Sequence, residues 1–185
     1  MVATEKTEST EPIICRDITC FAHVPEDLIT LRQWVLWQYE ERDGKKTKVL
    51  YGINGRRAKS NVPTTWSSYS EVLECYRDGS PASDGIGFVF LDGGGLVGID
   101  IDNCINADGT FKAWAEPIYR KIATDAYCEI SPSGNGLKLW TRGTLPGGKG
   151  RRKSGLGDDR KGAIEMYQRL RFFTVTGRRF QGVTA

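Results

Sequence analysis

The chain predicts an α+β fold, a mixed, largely antiparallel sheet with flanking helices. Apolar and polar residues alternate with period two over a series of short segments, Gly-rich turn chemistry joins neighbouring segments, and helix signals are confined to three stretches. Pro25-Glu26-Asp27 opens a short helix toward Leu31, with proline in the first turn and acids facing the dipole. Trp34–Tyr39 and Lys46–Tyr51 are strands joined through Arg42-Asp43-Gly44, the chemistry of a hairpin turn. Ser68 and Glu71 form a capping box for a helix running to about Arg77 and stopped by Gly79. Gly87–Leu91 and Leu96–Asp102 flank Asp92-Gly93-Gly94-Gly95 and read as a second hairpin. Helical pattern resumes over Trp114–Ile122 with Pro117 near its start, and Ala126–Ile130, Leu137–Thr141, Ala163–Tyr167 and Arg171–Thr176 complete the strands.

A chain of 185 residues with 39% hydrophobic and 26% charged content suits one folded, soluble domain. Residues 1–11, rich in Thr, Glu and Lys, lack the apolar core of a signal peptide. A flexible tail is set at residues 1–20 and the folded domain at 21–185. No run approaches membrane-spanning length. The five cysteines, Cys15, Cys20, Cys75, Cys104 and Cys128, are scattered, without a Cys-x-x-Cys pair to start a zinc site, and read as reduced thiols of a cytoplasmic protein. Cys104 lies close enough in sequence to approach a metal at Asp102; the alternative is a small buried hydrophobe. There is no internal repeat.

Gly98-Ile-Asp-Ile-Asp-Asn103 is the most informative stretch. As a strand it points Val97, Ile99 and Ile101 to one face, while Asp100 and Asp102 share the other, about 6.5 to 7 Å apart. Two ionised carboxylates on an apolar strand repel and lose hydration, a costly arrangement unless a cation neutralises them, most simply a divalent metal. A strand end running into an Asx turn at Asp102-Asn103 is the plainer reading. Glu165, between Ile164 and Met166, repeats the logic and supplies a third carboxylate, the rival reading being an ordinary surface glutamate.

Ser131-Pro-Ser-Gly-Asn-Gly136 links two strands, and its small residues allow backbone N–H groups to converge on an anion. With Leu137 and Leu139 facing the core, Lys138 points the other way, where it would meet a phosphate as a compact charge; a plain hairpin loop is the alternative. Net charge is only +3, but its distribution is uneven. Six basic and no acidic residues fall between Lys45 and Lys59, among them Lys45, Lys46, Lys48, Arg56 and Arg57; six basic against two acidic fall between Arg142 and Arg160, including Lys149, Arg151, Arg152 and Lys153. Both runs suit a polyanion, with scattered surface charge as the bland alternative.

Taken in order, Gly98–Asp102, Ser131–Lys138, Ile164–Tyr167 and Arg171–Gly177 resemble the motifs of the archaeo-eukaryotic primase superfamily, most closely the primase-polymerase domain of phage and mobile-element replication proteins. Trp34–Trp37, the basic hairpin to Tyr51, Thr65-Trp66 and Gly85–Phe90 extend the resemblance over roughly Leu31–Gly177. It implies a primase-polymerase catalytic core with an RRM-like palm, with residues 21–185 as the catalytic domain. It implies nucleotidyl transfer on a single-stranded DNA template and primer from nucleoside triphosphates, with two ions of Mg2+ or Mn2+. Asp100, Asp102 and Glu165 match the catalytic metal ligands; Ser133, Gly134 and Gly136, with Ser131 beside them, match the nucleotide site. Position 138 departs, since the family usually has a histidine there and this chain has Lys138; lysine supplies charge to phosphates but is not an ordinary metal ligand. A helicase portion is expected in cis beyond Ala185 or in trans, the chain being a fragment or a minimal version. Trp66 and Trp140 are base-stacking candidates with core packing as the alternative. Two rival functions remain: a metal-dependent nuclease, and a non-catalytic single-stranded DNA or replication-origin binding module. Gly143-x-x-x-x-Gly148-Lys149 nearly matches a phosphate-binding loop, but Gly150 replaces the hydroxyl that would ligate magnesium.

Overall fold

The computed structural model describes residues 18–180. Residues 1–17 of the expected tail and the expected strand at 181–183 lie outside them. Three helices, α1 (Glu26–Ile29), α2 (Tyr69–Asp78) and α3 (Glu116–Ile122), accompany nine strands. These are β1 (Trp34–Arg42), β2 (Lys45–Tyr51), β3 (Gly85–Val89), β4 (Leu96–Asp102), β5 (Tyr127–Ile130), β6 (Leu137–Arg142), β7 (Arg151–Leu156), β8 (Gly162–Tyr167) and β9 (Phe172–Val175). Ile18–His23 forms a short 3-10 helix. The fold is α+β, and its strands divide into two sheets of order β2-β1-β3-β9 and β5-β6-β4-β8-β7. Each pairing within them is antiparallel.

Local signals act where expected. Asp43 and Gly44 take positive φ and close the β1–β2 hairpin. Ser68 and Glu71 form the reciprocal capping box of α2, and Gly79 ends that helix in the left-handed region.

The second expected hairpin does not form. β3 joins one sheet and β4 the other, so Phe90–Gly95 is a crossover between sheets. Packing explains this: a Cβ on Gly98 would lie 2.4 Å from Phe90 and 2.8 Å from Phe173, so the bare backbone of β4 is where the aromatic face of the first sheet seats on the second. Phe90 and Phe173 meet edge to face, with Trp140 against Phe173. These rings belong to one core with Trp34, Leu36, Ile86 and Phe88 of the first sheet and Val72 of α2. A second core, Ile99, Ile101, Leu137 and Leu139, fills the other face of the second sheet. The basic run between Arg142 and Arg160, where the sequence predicts no strand, contains one: Arg151–Leu156 is the edge strand β7. Its exposed, charged side chains suit an edge and conceal the apolar alternation that marks a strand.

Cys75, Cys104 and Cys128 are free thiols as expected, whereas Cys20 is disulfide-bonded, correcting the expectation of reduced cysteines throughout. Cys104 is fully buried and its thiol donates to the Ile101 carbonyl, so it packs as a small hydrophobe. Among the described residues no helix is long and apolar enough to cross a membrane.

Candidate active site

Strand register gathers the charged residues. Glu129, Lys138, Asp100, Glu165 and Arg152 lie directly opposite one another across β5, β6, β4, β8 and β7, forming one row over the whole sheet. Residues opposite one another in a ladder share a face, so all five project from the same side. Lys138 Nζ lies 2.5 Å from Asp100 Oδ2, and Arg152 Nη1 lies 3.1 Å from Glu165 Oε1. Asp102 sits one pleat further along the same face of β4, opposite Ala163. Leu137 and Leu139 are fully buried in the opposite core, so the facing expected for Lys138 holds.

The electrostatics are those of crowded like charges with internal counterions. Burial, and then the neighbouring charge of Asp100, hold the Asp102 carboxyl above the usual aspartate range. Asp100 Oδ1 is buried without a hydrogen-bond partner, although Oδ2 is taken by Lys138. Lys138 is only 8% exposed, and its ammonium stands 4.5 Å over the Phe173 ring. Lys48, reaching in from the β1–β2 hairpin, stacks on Trp37 and Tyr39. Its ammonium is pushed down to about 8, chiefly by burial and next by Lys138, while Asp100 and Asp102 act the other way.

A cavity of about 340 Å³ opens above this row, walled by Lys46, Lys48, Asp100, Asp102, Ser131, Ser133 and Lys138. The loop beneath it is closed on itself. Ser131 N donates to the Gly136 carbonyl and Gly134 N to the Ser131 carbonyl, so these N–H groups serve the turn instead of converging on an anion. The hydroxyls of Ser131 and Ser133 line the cavity instead, 2.8 Å apart. Gly134 supplies a positive φ, and a Cβ at Gly136 would come within 2.9 Å of the Ile101 carbonyl, which explains the small residues by chain geometry.

Two further grooves adjoin. One of about 690 Å³ is lined by Arg42, Lys48, Arg57, Lys59 and Asp100; the next, about 560 Å³, by Lys149, Arg151, Arg152 and Arg169. Glu165, Tyr167, Leu170 and Arg171 line both. The expected basic residues therefore separate. Lys46, Lys48, Arg57, Lys149, Arg151 and Arg152 border the cavities, while Lys45 sits at the hairpin end opposite Arg42, Arg56 lies outside the linings, and Lys153 pairs with Ile164 toward the other face. Arg42, Arg169 and Arg171 were not singled out from the sequence, and neither was Glu129. Trp66 and Trp140 are buried in the cores, which settles them as packing residues.

Among the described residues, no group of three His, Cys, Asp or Glu side chains is gathered as a metal cage. Lys138 and Arg152 hold Asp100 and Glu165 in ion pairs. The hard oxygens of Asp100 and Asp102 nevertheless suit a divalent cation such as Mg2+ or Mn2+, and the unpartnered Oδ1 of Asp100 is a donor atom left spare.

Fold and site together define an α+β domain whose second sheet carries a row of three carboxylates and two cations, Asp100 and Glu165 side by side within it, at the floor of a basic cleft. A scan against protein-family models finds no match. The chain is 35% identical, over 153 residues and 81% of its length, to a DNA primase-polymerase of Nitratiruptor phage NrS-1. It belongs with the primase-polymerase domains of phage and mobile-element replication proteins, the family its motifs resemble. The matched region is 20% of that relative's length.

Proposed function

We propose that the chain performs template-dependent nucleotidyl transfer as a DNA primase-polymerase domain in the replication of a phage or mobile element. The observation that carries this is the Lys138–Asp100–Glu165 row with Asp102 beside it, open to a cavity that leads into two basic grooves. Asp100 and Asp102 would hold divalent ions, Mg2+ or Mn2+, with Glu165 as third carboxylate once released from Arg152. Such ions lower the pKa of an attacking hydroxyl and stabilise the leaving pyrophosphate.

The chain's own groups do the rest. Lys138 and Lys48 place two ammonium groups beside the carboxylates, where a triphosphate competes for them, and the Ser131 and Ser133 hydroxyls add donors at the cavity wall. Lys138 is thus a shared cation: it pairs with Asp100 and, with a divalent ion held there, would be free to meet a phosphate. The grooves beyond Asp100 and Glu165 track template and primer phosphates. The RRM-like palm of the superfamily is the corresponding reading of the second sheet.

The test is incorporation of labelled dATP or ATP on a primed poly-dT template with either metal. Extension is expected in the unmodified protein and is lost in Asp102→Asn with retention of single-stranded DNA intact. Shortening of the labelled strand instead would make it a nuclease. Retention with neither extension nor cleavage would leave a non-catalytic binding module.

A further inference from the structure

We infer that Leu170 is a wedge that enters between successive bases of the bound strand, an inference that rests on the nucleic-acid reading of the grooves. Two observations meet at this residue. Leu170 has φ of 57°, a left-handed conformation that a branched aliphatic side chain adopts at a cost. It is also 55% exposed and, with Leu91, one of two large hydrophobics on the surface of the described residues. Strain and exposed apolar surface both oppose folding, and together at one turn they mark a position held for something other than stability.

The surroundings identify the occupant. Leu170 stands in the β8–β9 turn between Arg169 and Arg171, on the divide shared by the two basic grooves. The turn is braced. Arg169 pairs with Asp92 at 2.9 Å, Arg171 accepts from Phe90 N through its carbonyl, and Ser60 Oγ donates to the Leu170 carbonyl. The Arg171 guanidinium also lies 5.1 Å over the Tyr167 ring. A polyanionic strand running from one groove to the other must cross this ridge. There its phosphates meet the flanking arginines and its bases meet the leucine, the arrangement in which an apolar side chain unstacks a base step. A protein partner would need a broader apolar surface than one leucine ringed by arginines.

The experiment places 2-aminopurine at each position in turn along a single-stranded oligonucleotide and titrates the full chain, reading fluorescence, which rises where stacking is broken. A peak at one position is expected with the unmodified protein. Leu170→Ala keeps the backbone strain and should lose the peak, with affinity falling by on the order of fivefold, the lower end of one stacked base. Leu170→Asn, suited to positive φ, should lose the same peak while melting higher than the unmodified protein. A flat profile in the unmodified protein, or an unchanged peak in both variants, overturns the wedge while retention of the oligonucleotide keeps the nucleic-acid reading. An oligonucleotide that is not retained at any salt concentration overturns both.

Discussion

Asp100 and Asp102 occupy the same face of one strand, yet their surroundings assign them different energetic roles. Asp100 is tied to Lys138, a pair in which both side chains are mostly buried. Removing one member of such a pair costs about 3 to 5 kcal/mol, because the partner is left charged and desolvated. Asp102 is opposed by its neighbourhood. We therefore expect Asp100→Asn to lose both nucleotide incorporation and several kcal/mol of stability in urea unfolding, whereas Asp102→Asn loses incorporation alone. Equal destabilisation by the two would contradict the pairing. The sign with pH follows. A carboxyl raised in the folded state stabilises the fold below its ordinary pKa, and that contribution is lost as pH rises through the raised value. With chelator present, the contribution of Asp102 is read as a difference: as pH rises just above about pH 4, the unmodified protein should lose stability relative to Asp102→Asn, in which the other shifted carboxyls, Glu129 among them, still titrate. A parallel pH profile in the mutant would remove this account.

Among the elements, β4 carries the most constraint, since one face bears the carboxylates while its glycine receives the other sheet. The contact distances at Gly98 leave no room for a methyl group, and the atoms it would meet are aromatic rings already packed edge to face. Gly98→Ala is expected to cost about 1 to 3 kcal/mol by overpacking. Because the strain falls two residues from Asp100, it should also lower incorporation. An alanine variant as stable as the original would show that the two sheets shift apart freely. The β8–β9 turn is the opposite case. Leu170→Gly relieves the left-handed backbone and, allowing for the entropy glycine adds to the unfolded chain, should still stabilise by up to about 1 kcal/mol in thermal melting.

At the scale of the molecule, the two sheets are joined at a buried carboxylate. Glu129 of β5 accepts from the backbone N–H groups of Thr176 and Gly177, just beyond β9, and from the hydroxyls of Thr176 and Tyr127. It lies only 1% exposed, and burial raises its pKa while these bonds act to lower it. Glu129→Gln would set an NH2 group against donors, and the expected loss is about 1 to 3 kcal/mol. Proteolysis should then find the junction more accessible; unchanged stability would mean that the sheets hold together without this tie. The grooves give a second whole-molecule test. Log affinity for single-stranded DNA should fall against log salt by about 0.7 per phosphate neutralised. Reversing Lys149, Arg169 and Arg171 to glutamate should flatten that slope, and reversing Lys45 and Arg56 should not. Equal effects of the two sets would mean that overall charge, not the cleft, governs retention.

How much of this was legible beforehand depends on the range of the signal. The β1–β2 hairpin, the capped α2 helix, and the alternation that sends Ile99 and Ile101 inward and Asp100 and Asp102 outward are properties of neighbours in sequence. Dihedral preference, capping chemistry and a period of two determined them before any tertiary contact. The facing of Lys138 and Glu165 followed the same rule. What those residues touch did not, because register between strands far apart in sequence is decided by how whole faces pack. Only the fold set Lys138 against Asp100, Arg152 against Glu165 and Glu129 at the end of the same row. Only the seating of Phe90 and Phe173 on Gly98 divided an expected hairpin between two sheets. The basic strips were visible as composition, but which cations border the cleft was settled by tertiary structure, which brings Lys149, Arg151 and Arg152 into one groove with Arg169, a residue of the β8–β9 turn far off in sequence.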